Sequence, residues 1–355
     1  MAPFRKLAAP VIGIVTLVLV VSLTDPTKVL AYVATLNPLY LVAAALTEVL
    51  GGFLYSLAWF VILKPSGVNT TLKQAYLITM GSLFLIYTTP SGVAAEAARI
   101  AMVRKHASGD FGGPTASVLV HRVLYGLGFI SVAGFATFLV YGALSSSPII
   151  KTAVTAIVTA GVLIVVVLIL AAKANGLRSG VKWIGAKITP FLKRLSITKE
   201  DFDPAAVDST FDTFVGAMSK IVHSPLRLLT SYTLIAARWV LVSVVALLVM
   251  YSINFHGVSI WAIMIVMMIA EIVSTTPIGI PGMLGVLDAV VIASYVALGV
   301  PPAIATATDL LTRFVLYIVN LPLTGSLFYA YIRGGIKQKA SERSVEPIVK
   351  QHEPK

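Results

Sequence analysis

The chain has 355 residues, 57% of them hydrophobic and only 12% charged, and it contains no cysteine. A mean hydropathy of +0.92 excludes an ordinary soluble domain and points to an integral membrane protein, while the missing cysteines exclude disulfides, iron–sulfur clusters and thiolate zinc sites. The formal charge of +12 gathers between apolar runs, which fits loops facing an anionic cytoplasmic leaflet rather than a nucleic-acid surface.

The first apolar run, Leu7–Leu23, follows the basic pair Arg5 and Lys6. No small-x-small cleavage site follows it, so it reads as a retained span and not a signal peptide. Longer runs at Pro38–Leu63, Thr115–Tyr141, Ile149–Ala172, Leu226–Ile253 and Pro302–Tyr331 each exceed the roughly 20 residues a span needs. Two further runs are interrupted. Leu72–Val103 is broken by "TTPSG" at Thr88–Gly92, and Ile260–Leu298 by "STTPIGIPGMLGVLD" at Ser274–Asp288.

Basic residues set the expected orientation. Lys64 precedes the first interrupted run and Lys73 stands at its start, and Arg104, Lys105 and His106 follow it. It therefore starts and ends inside. The basic segment at 173–198 and the tail with Arg333, Lys337, Lys339 and Arg343 are also inside, which leaves the second interrupted run starting and ending outside. The predicted fold is an all-α polytopic membrane protein: about six full spans plus two oppositely oriented re-entrant helical hairpins, 72–103 and 260–298. Residues 1–172 form one membrane half and 226–332 the other. Residues 173–225 form a cytoplasmic connection, in which Phe211, Phe214, Val215, Met218 and Val222 share one helical face; that helix lies on the membrane or docks on the bundle. Residues 333–355 read as a disordered basic tail. Both termini are expected in the cytoplasm, with the protein in the cell membrane.

The two interrupted runs resemble each other. "TTPSGVAAEAAR" and "TTPIGIPGMLGVLD" share Thr-Thr-Pro, a glycine two residues on, and a later acid, Glu96 or Asp288. The next span carries one arginine in each half, in "HRVLYGLGF" and "TRFVLYIVN". Glu96 precedes Arg122 by 26 residues and Asp288 precedes Arg313 by 25. An inverted repeat with broken helices is a transporter signature, its site lying at the repeat interface. Irregular backbone in a bilayer is tolerated only where protein or a water-filled cavity covers it, and freed N–H groups at a break can meet an anion. The plainer alternative is that proline and glycine merely permit close helix packing.

Ionisable residues inside spans are candidate site residues. Here they are Glu48, Glu96, Arg99, Arg122, Arg238, Glu271, Asp288, Asp309 and Arg313. Arg122 and Arg313 are the leading anion ligands, since a guanidinium holds phosphate through two parallel bonds; the alternative is an ion pair with Glu96, Asp288 or Asp309. Asp309 and Arg313 also suit a local pair by spacing. Glu271, Asp288 and Asp309 are candidates for carrying a proton or balancing charge, with pairing to Arg238 as the alternative for Glu271 and Asp288; Arg238 is also a candidate substrate ligand, and it and Glu48 are candidates for matching across the halves. Arg104 reads as snorkelling to the interface. The five histidines show no ligand spacing, so no metal or other cofactor is expected, and there is no phosphate loop or nucleophile elbow.

"TTPSGVAAEAARIAMVRKH" with "ASVLVHRVLYGLGF", and "TTPIGIPGMLGVLDAVVIASYVALGVPPAIATATDLLTRFVLY", resemble the two signatures of the lysylphosphatidylglycerol synthase transmembrane-region family over roughly residues 5–332. The resemblance implies a lipid flippase-like domain. It points to Pro90, Gly92, Glu96, Arg99 and Arg122 in one half, and to Pro277, Gly282, Gly285, Asp288 and Arg313 in the other. Asp288 departs from the family's usual glutamate. No segment here resembles the soluble aminoacyl-transferase half that some members carry, so synthase activity is not expected.

The leading expectation is therefore translocation of an anionic phospholipid or a polyprenyl-phosphate-linked lipid, with membrane lipids as partners. An unlinked lipid-modifying enzyme or glycosyltransferase is a further partner the resemblance implies. Two alternatives stay open: a proton- or ion-coupled carrier of a small soluble anion, and a membrane enzyme using Glu96 or Asp288 on a lipid phosphate.

Overall fold

The computed structural model describes residues 25–88, 92–144, 204–275 and 285–350, with a few isolated positions outside these stretches. The expected spans at Leu7–Leu23 and Ile149–Ala172 lie almost wholly outside the described residues, and so does the connection up to residue 203.

Helices account for almost everything described, and no strand occurs among these residues. Four of them are long and apolar enough to cross a bilayer: α2 (Pro38–Leu63), α5 (Gly112–Leu144), α7 (Pro225–Ser252) and α10 (Pro302–Lys350). The chain is thus a polytopic membrane protein. The remaining helices are α1 (Pro26–Ala34), α3 (Leu72–Thr88), α4 (Gly92–Val103), α6 (Pro204–Val222), α8 (Ile260–Thr275) and α9 (Val286–Ala297). Helix starts follow local chemistry. Asn37 accepts from the Leu39 N–H at 3.0 Å, ahead of Pro38, and Ser224 precedes Pro225; proline at the first helical position needs no N–H partner.

The interrupted runs break where the sequence predicts. Helices α4 and α9 have 12 residues each, about 18 Å of helix against a hydrocarbon core of about 30 Å. Neither can cross alone. Helix α4 packs on α3, and α9 on α8.

At the centre, α2 and α7 run antiparallel. The Asn37 N–H donates to the Ser252 carbonyl at 2.7 Å, and the Ser231 hydroxyl to the Ala58 carbonyl at 2.9 Å. Around this pair the packing is doubled. Helix α3 lies on α10 and α8 on α5; α5 packs on α7 and α10 on α2; α6 packs on α5 and α1 on α10. Two apolar cores result. One joins Trp59, Phe129, Ile235 and Trp239, and the other Val249, Ile263, Tyr295 and Ala307. Lipid is as apolar as these cores, so helix contacts depend on close fit and interhelical hydrogen bonds. The Trp59 indole donates to the Ser117 hydroxyl at 3.2 Å, and the Trp239 indole to the Tyr125 carbonyl at 3.2 Å.

Helix α6 docks on the bundle: Phe211, Phe214, Ala217 and Ile221 are buried, and Thr213 donates to Asp110 at 2.9 Å. Val215 and Val222, expected on the apolar face, are exposed. The tail is a second difference. The structure continues α10 as helix to Lys350, where a disordered segment from 333 was expected; the run of Lys, Gln, Ala, Glu and Arg at 337–346 has good helix propensity, and the preceding span supplies the nucleus.

Candidate functional site

Three charge clusters stand inside the bundle. The first joins α4 and α5. Glu96 lies between two guanidiniums: Arg122 Nε at 2.7 Å and Arg99 Nη1 at 3.3 Å. Glu96 and Arg99 are three apart on α4, which puts them on one face. Arg99 is fully buried, near the Ser82 hydroxyl, His121 Nδ1 and the Tyr55 hydroxyl, each at 3.4 Å. Its charge also faces the rings of Tyr55 and Trp59, each 5.3 Å away, an attractive arrangement in a dry site. Arg122 differs from Arg99: its side chain is 37% exposed. Tyr125, one turn along α5, donates to Glu271 of α8 at 3.3 Å, and Glu271 in turn accepts from Ser274 at 3.4 Å.

The second cluster joins α9 and α10. Arg313 Nε is paired with Asp288 Oδ1, and the Gly285 N–H donates to Asp288 Oδ2. Gly285 has φ +82°, a conformation that suits glycine. It turns the chain into α9, and Asp288, in the first turn, then caps it. Asp309, one turn before Arg313, lies within hydrogen-bonding reach of Asp288. Asp288 is fully buried, and the Arg313 side chain is 14% exposed.

The third cluster joins the two halves. Arg238 of α7 donates two bonds to Glu48 of α2, both at 3.1 Å, and Asn320 of α10 donates to Glu48 at 2.9 Å. Gly51 makes room: a Cβ there would lie 2.6 Å from Arg238 Nη1.

Six of the residues read from the sequence are thus brought together in pairs: Glu96 with Arg122, Asp288 with Arg313, and Glu48 with Arg238. Asp309 lies close to both Asp288 and Arg313. Arg238, expected as a head-group ligand, is committed to Glu48. Gly92 begins α4, whereas Pro90, Pro277 and Gly282 lie outside the described residues. Tyr55, Ser82, Tyr125 and Asn320 were not singled out from the sequence. Tyr55 and Ser82 stand in apolar runs with no motif around them, Tyr125 and Asn320 lie inside the repeated stretches without being marked by them, and only the packing of other helices gives each a partner. At the basic end of the first hairpin, partial burial and the neighbouring Lys105 hold His106 below its ordinary value, which leaves Arg104 and Lys105 to carry the charge there. Among the described residues no group of three or more acidic or histidine side chains could hold a metal ion.

A model of the lysylphosphatidylglycerol synthase transmembrane region matches residues 7–323. The chain is also similar to a UPF0104 membrane protein of Methanocaldococcus jannaschii, at 24% identity over 306 residues, covering 82% of this chain and 84% of that protein. With nearly its whole length matched, the chain belongs to the lysylphosphatidylglycerol synthase transmembrane-region family.

Proposed function

We propose that this family member moves an anionic phospholipid or a polyprenyl-phosphate-linked lipid between leaflets, its head group engaging Arg122 at the first hairpin. One observation carries the reading: a single carboxylate, Glu96, is shared by two guanidiniums, one sealed and one 37% exposed. Glu271 also acts on Arg122 through space, and of the two arginines the exposed one is the one that can turn its guanidinium to a phosphate.

The two halves act as an inverted repeat. Pro38 and Pro225, Gly51 and Arg238, and Thr88 and Thr275 are separated by the same chain distance. Helices α2 and α7 cross where the equivalent positions Gly51 and Arg238 touch, as a two-fold axis in the membrane plane requires. The main packing contacts in one half, α3 on α10, α5 on α7 and α5 on α6, have counterparts in the other. The short helices α3, α4, α8 and α9 are then two re-entrant hairpins from opposite faces, which lets either face expose its cluster in turn.

No step breaks or forms a covalent bond, so the lipid leaves unaltered. The test is leaflet exchange of fluorescent anionic and zwitterionic lipids in proteoliposomes. Wild type should move the anionic lipid, and Arg122→Ala should slow it at least tenfold while the fold survives. If wild type moves no anionic lipid, the reading falls. A carrier of a small soluble anion is the second reading, favoured by a cleft of about 470 Å³ lined by Lys64, Lys220, His223 and Arg227. It would gain if labelled inorganic phosphate entered the vesicles while lipids stayed put.

A further inference from the structure

The second cluster has more acids than arginines. Asp288 and Asp309 face one arginine, Arg313, so with all three charged the site keeps one uncompensated negative charge inside the bundle. Such a charge is costly in a low-dielectric interior. The site also has oxygen to spare. Asp309 is 5% exposed and touches Asp288, but its Oδ2 receives no donor; the Tyr295 hydroxyl, fully buried beside it, has no partner, nor have the Thr306 and Thr312 hydroxyls. Thr306, Asp309, Thr312 and Arg313 follow one helical face of α10, and Asp288 and Tyr295, seven residues apart, follow one face of α9. Buried polar atoms are normally satisfied, so a group of orphaned oxygens around a net negative charge asks for a missing donor or cation.

We propose that this cluster binds one monovalent cation, sodium or a proton, and that its binding drives the exchange described above. The charge count sets the valence: two carboxylates less one guanidinium leave room for a single positive charge, and a divalent ion would overshoot. Hard oxygen ligands suit sodium, and two carboxyl groups in contact suit a shared proton. The charges acting on Asp309 are Asp288 and Arg313, with the neutral Tyr295 phenol against it. Helices α1, α2, α3 and α7 also pack on α10. Their charged groups nearest the bundle are matched elsewhere, Lys28 with Asp25 and Arg238 with Glu48. Lys73 of α3 stands at the exposed start of its helix, and α1 and α3 also bring the phenols of Tyr32 and Tyr87. In the first cluster the exposed Arg122 suits a phosphate, so one site would bind the lipid and the other the ion that moves with it. This part of the inference rests on the lipid reading; the ion site itself does not.

Binding can be read without transport. Purified protein is heated in sodium against choline at fixed ionic strength, and infrared difference spectra are taken between acid and neutral pH. Sodium at a hundredfold excess over Kd should raise Tm by roughly 3–4 °C, and both Asp309→Asn and Thr312→Val should abolish the rise. If a proton is the ligand, sodium leaves Tm unmoved, and wild type shows a protonated-carboxyl band that Asp309→Asn removes. Neither signal in folded wild type, or either one unchanged in Asp309→Asn, overturns the ion site. In proteoliposomes a one-unit pH gradient or a tenfold sodium gradient should drive up to about a tenfold leaflet asymmetry for one ion per lipid. Lipid exchange indifferent to both gradients overturns the coupling and leaves the lipid reading standing. An ion signal with no lipid exchange sinks the lipid reading and leaves the ion site standing.

Discussion

The two hairpins carry the same order of elements and differently composed ion pairs. In the first, one acid meets two arginines, and the outer arginine is exposed. In the second, two acids meet one arginine, and the acid it pairs with is fully buried. A repeated motif has thus been specialised by one side chain on each side: Arg99, three residues after Glu96, and Asp309, four before Arg313. Neither has a charged counterpart in the other half, where the matching turns hold Val291 and Val118. The lesson is that the shared acid–arginine pair is scaffold, and the unshared third charge sets what each site can bind.

The sharpest way to break the comparison is to remove each scaffold arginine in turn. Arg313→Ala leaves two buried carboxyl groups with no cation, and should cost about 3–5 kcal/mol of stability. Arg122→Ala leaves Glu96 still facing Arg99, and the lost partner was over a third exposed. Its stability cost should be about 1 kcal/mol or less, while its loss of lipid exchange should be at least tenfold. Thermal unfolding in detergent and the exchange assay together check this crossing of effects; equal stability losses would erase the distinction between a closed and an open site.

The scaffold pairs were legible from sequence because order and spacing repeat: an acid after a Pro–Gly break, then an arginine 25 or 26 residues on. The breaks themselves were legible because proline and glycine interrupt runs that are otherwise uniformly apolar. The Glu48–Arg238–Asn320 cluster was only half legible. Glu48 and Arg238 stand out as charges in a span, but nothing in "TRFVLYIVN" marks Asn320 as their partner. A membrane helix has apolar residues on its buried and its lipid faces alike, so no periodic stripe shows which side meets a neighbour. For the same reason Tyr55 and Tyr125 gave no signal, and Arg238 was expected on a ligand when it spans two helices. The docked α6 was easier, because one side of it meets water.

Gly51 tests whether the halves depend on a common crossing. Gly51→Val places a branched side chain against the Arg238 guanidinium and should cost about 1–2 kcal/mol. The movable end of Arg238 can yield part of the way, which keeps the cost below that of breaking the pair. Because α2 and α7 carry both hairpins, the substitution should slow anionic-lipid exchange and weaken the sodium or proton response together. An effect confined to one of them would mean that the two clusters are held independently.

The smallest effect sharpens the comparison at its open end. Tyr125 ties the first cluster to the second hairpin by donating to Glu271 on α8, and its ring also lies 5.7 Å from the Arg122 guanidinium. Tyr125→Phe keeps the ring and deletes only the hydroxyl. The bond is long at 3.3 Å, so stability should fall by no more than about 1 kcal/mol. Glu271 keeps Ser274 as a donor, which limits the loss further. The informative readout is therefore kinetic. If Glu271 must be held while the first cluster receives a head group, Tyr125→Phe should change the rate of exchange more than the amount of lipid bound, and Tyr125→Leu, which also removes the ring from Arg122, should change both. Equal responses to the two substitutions would assign Tyr125 to packing alone, and the link between the hairpins would then run only through Glu48, Asn320 and Arg238.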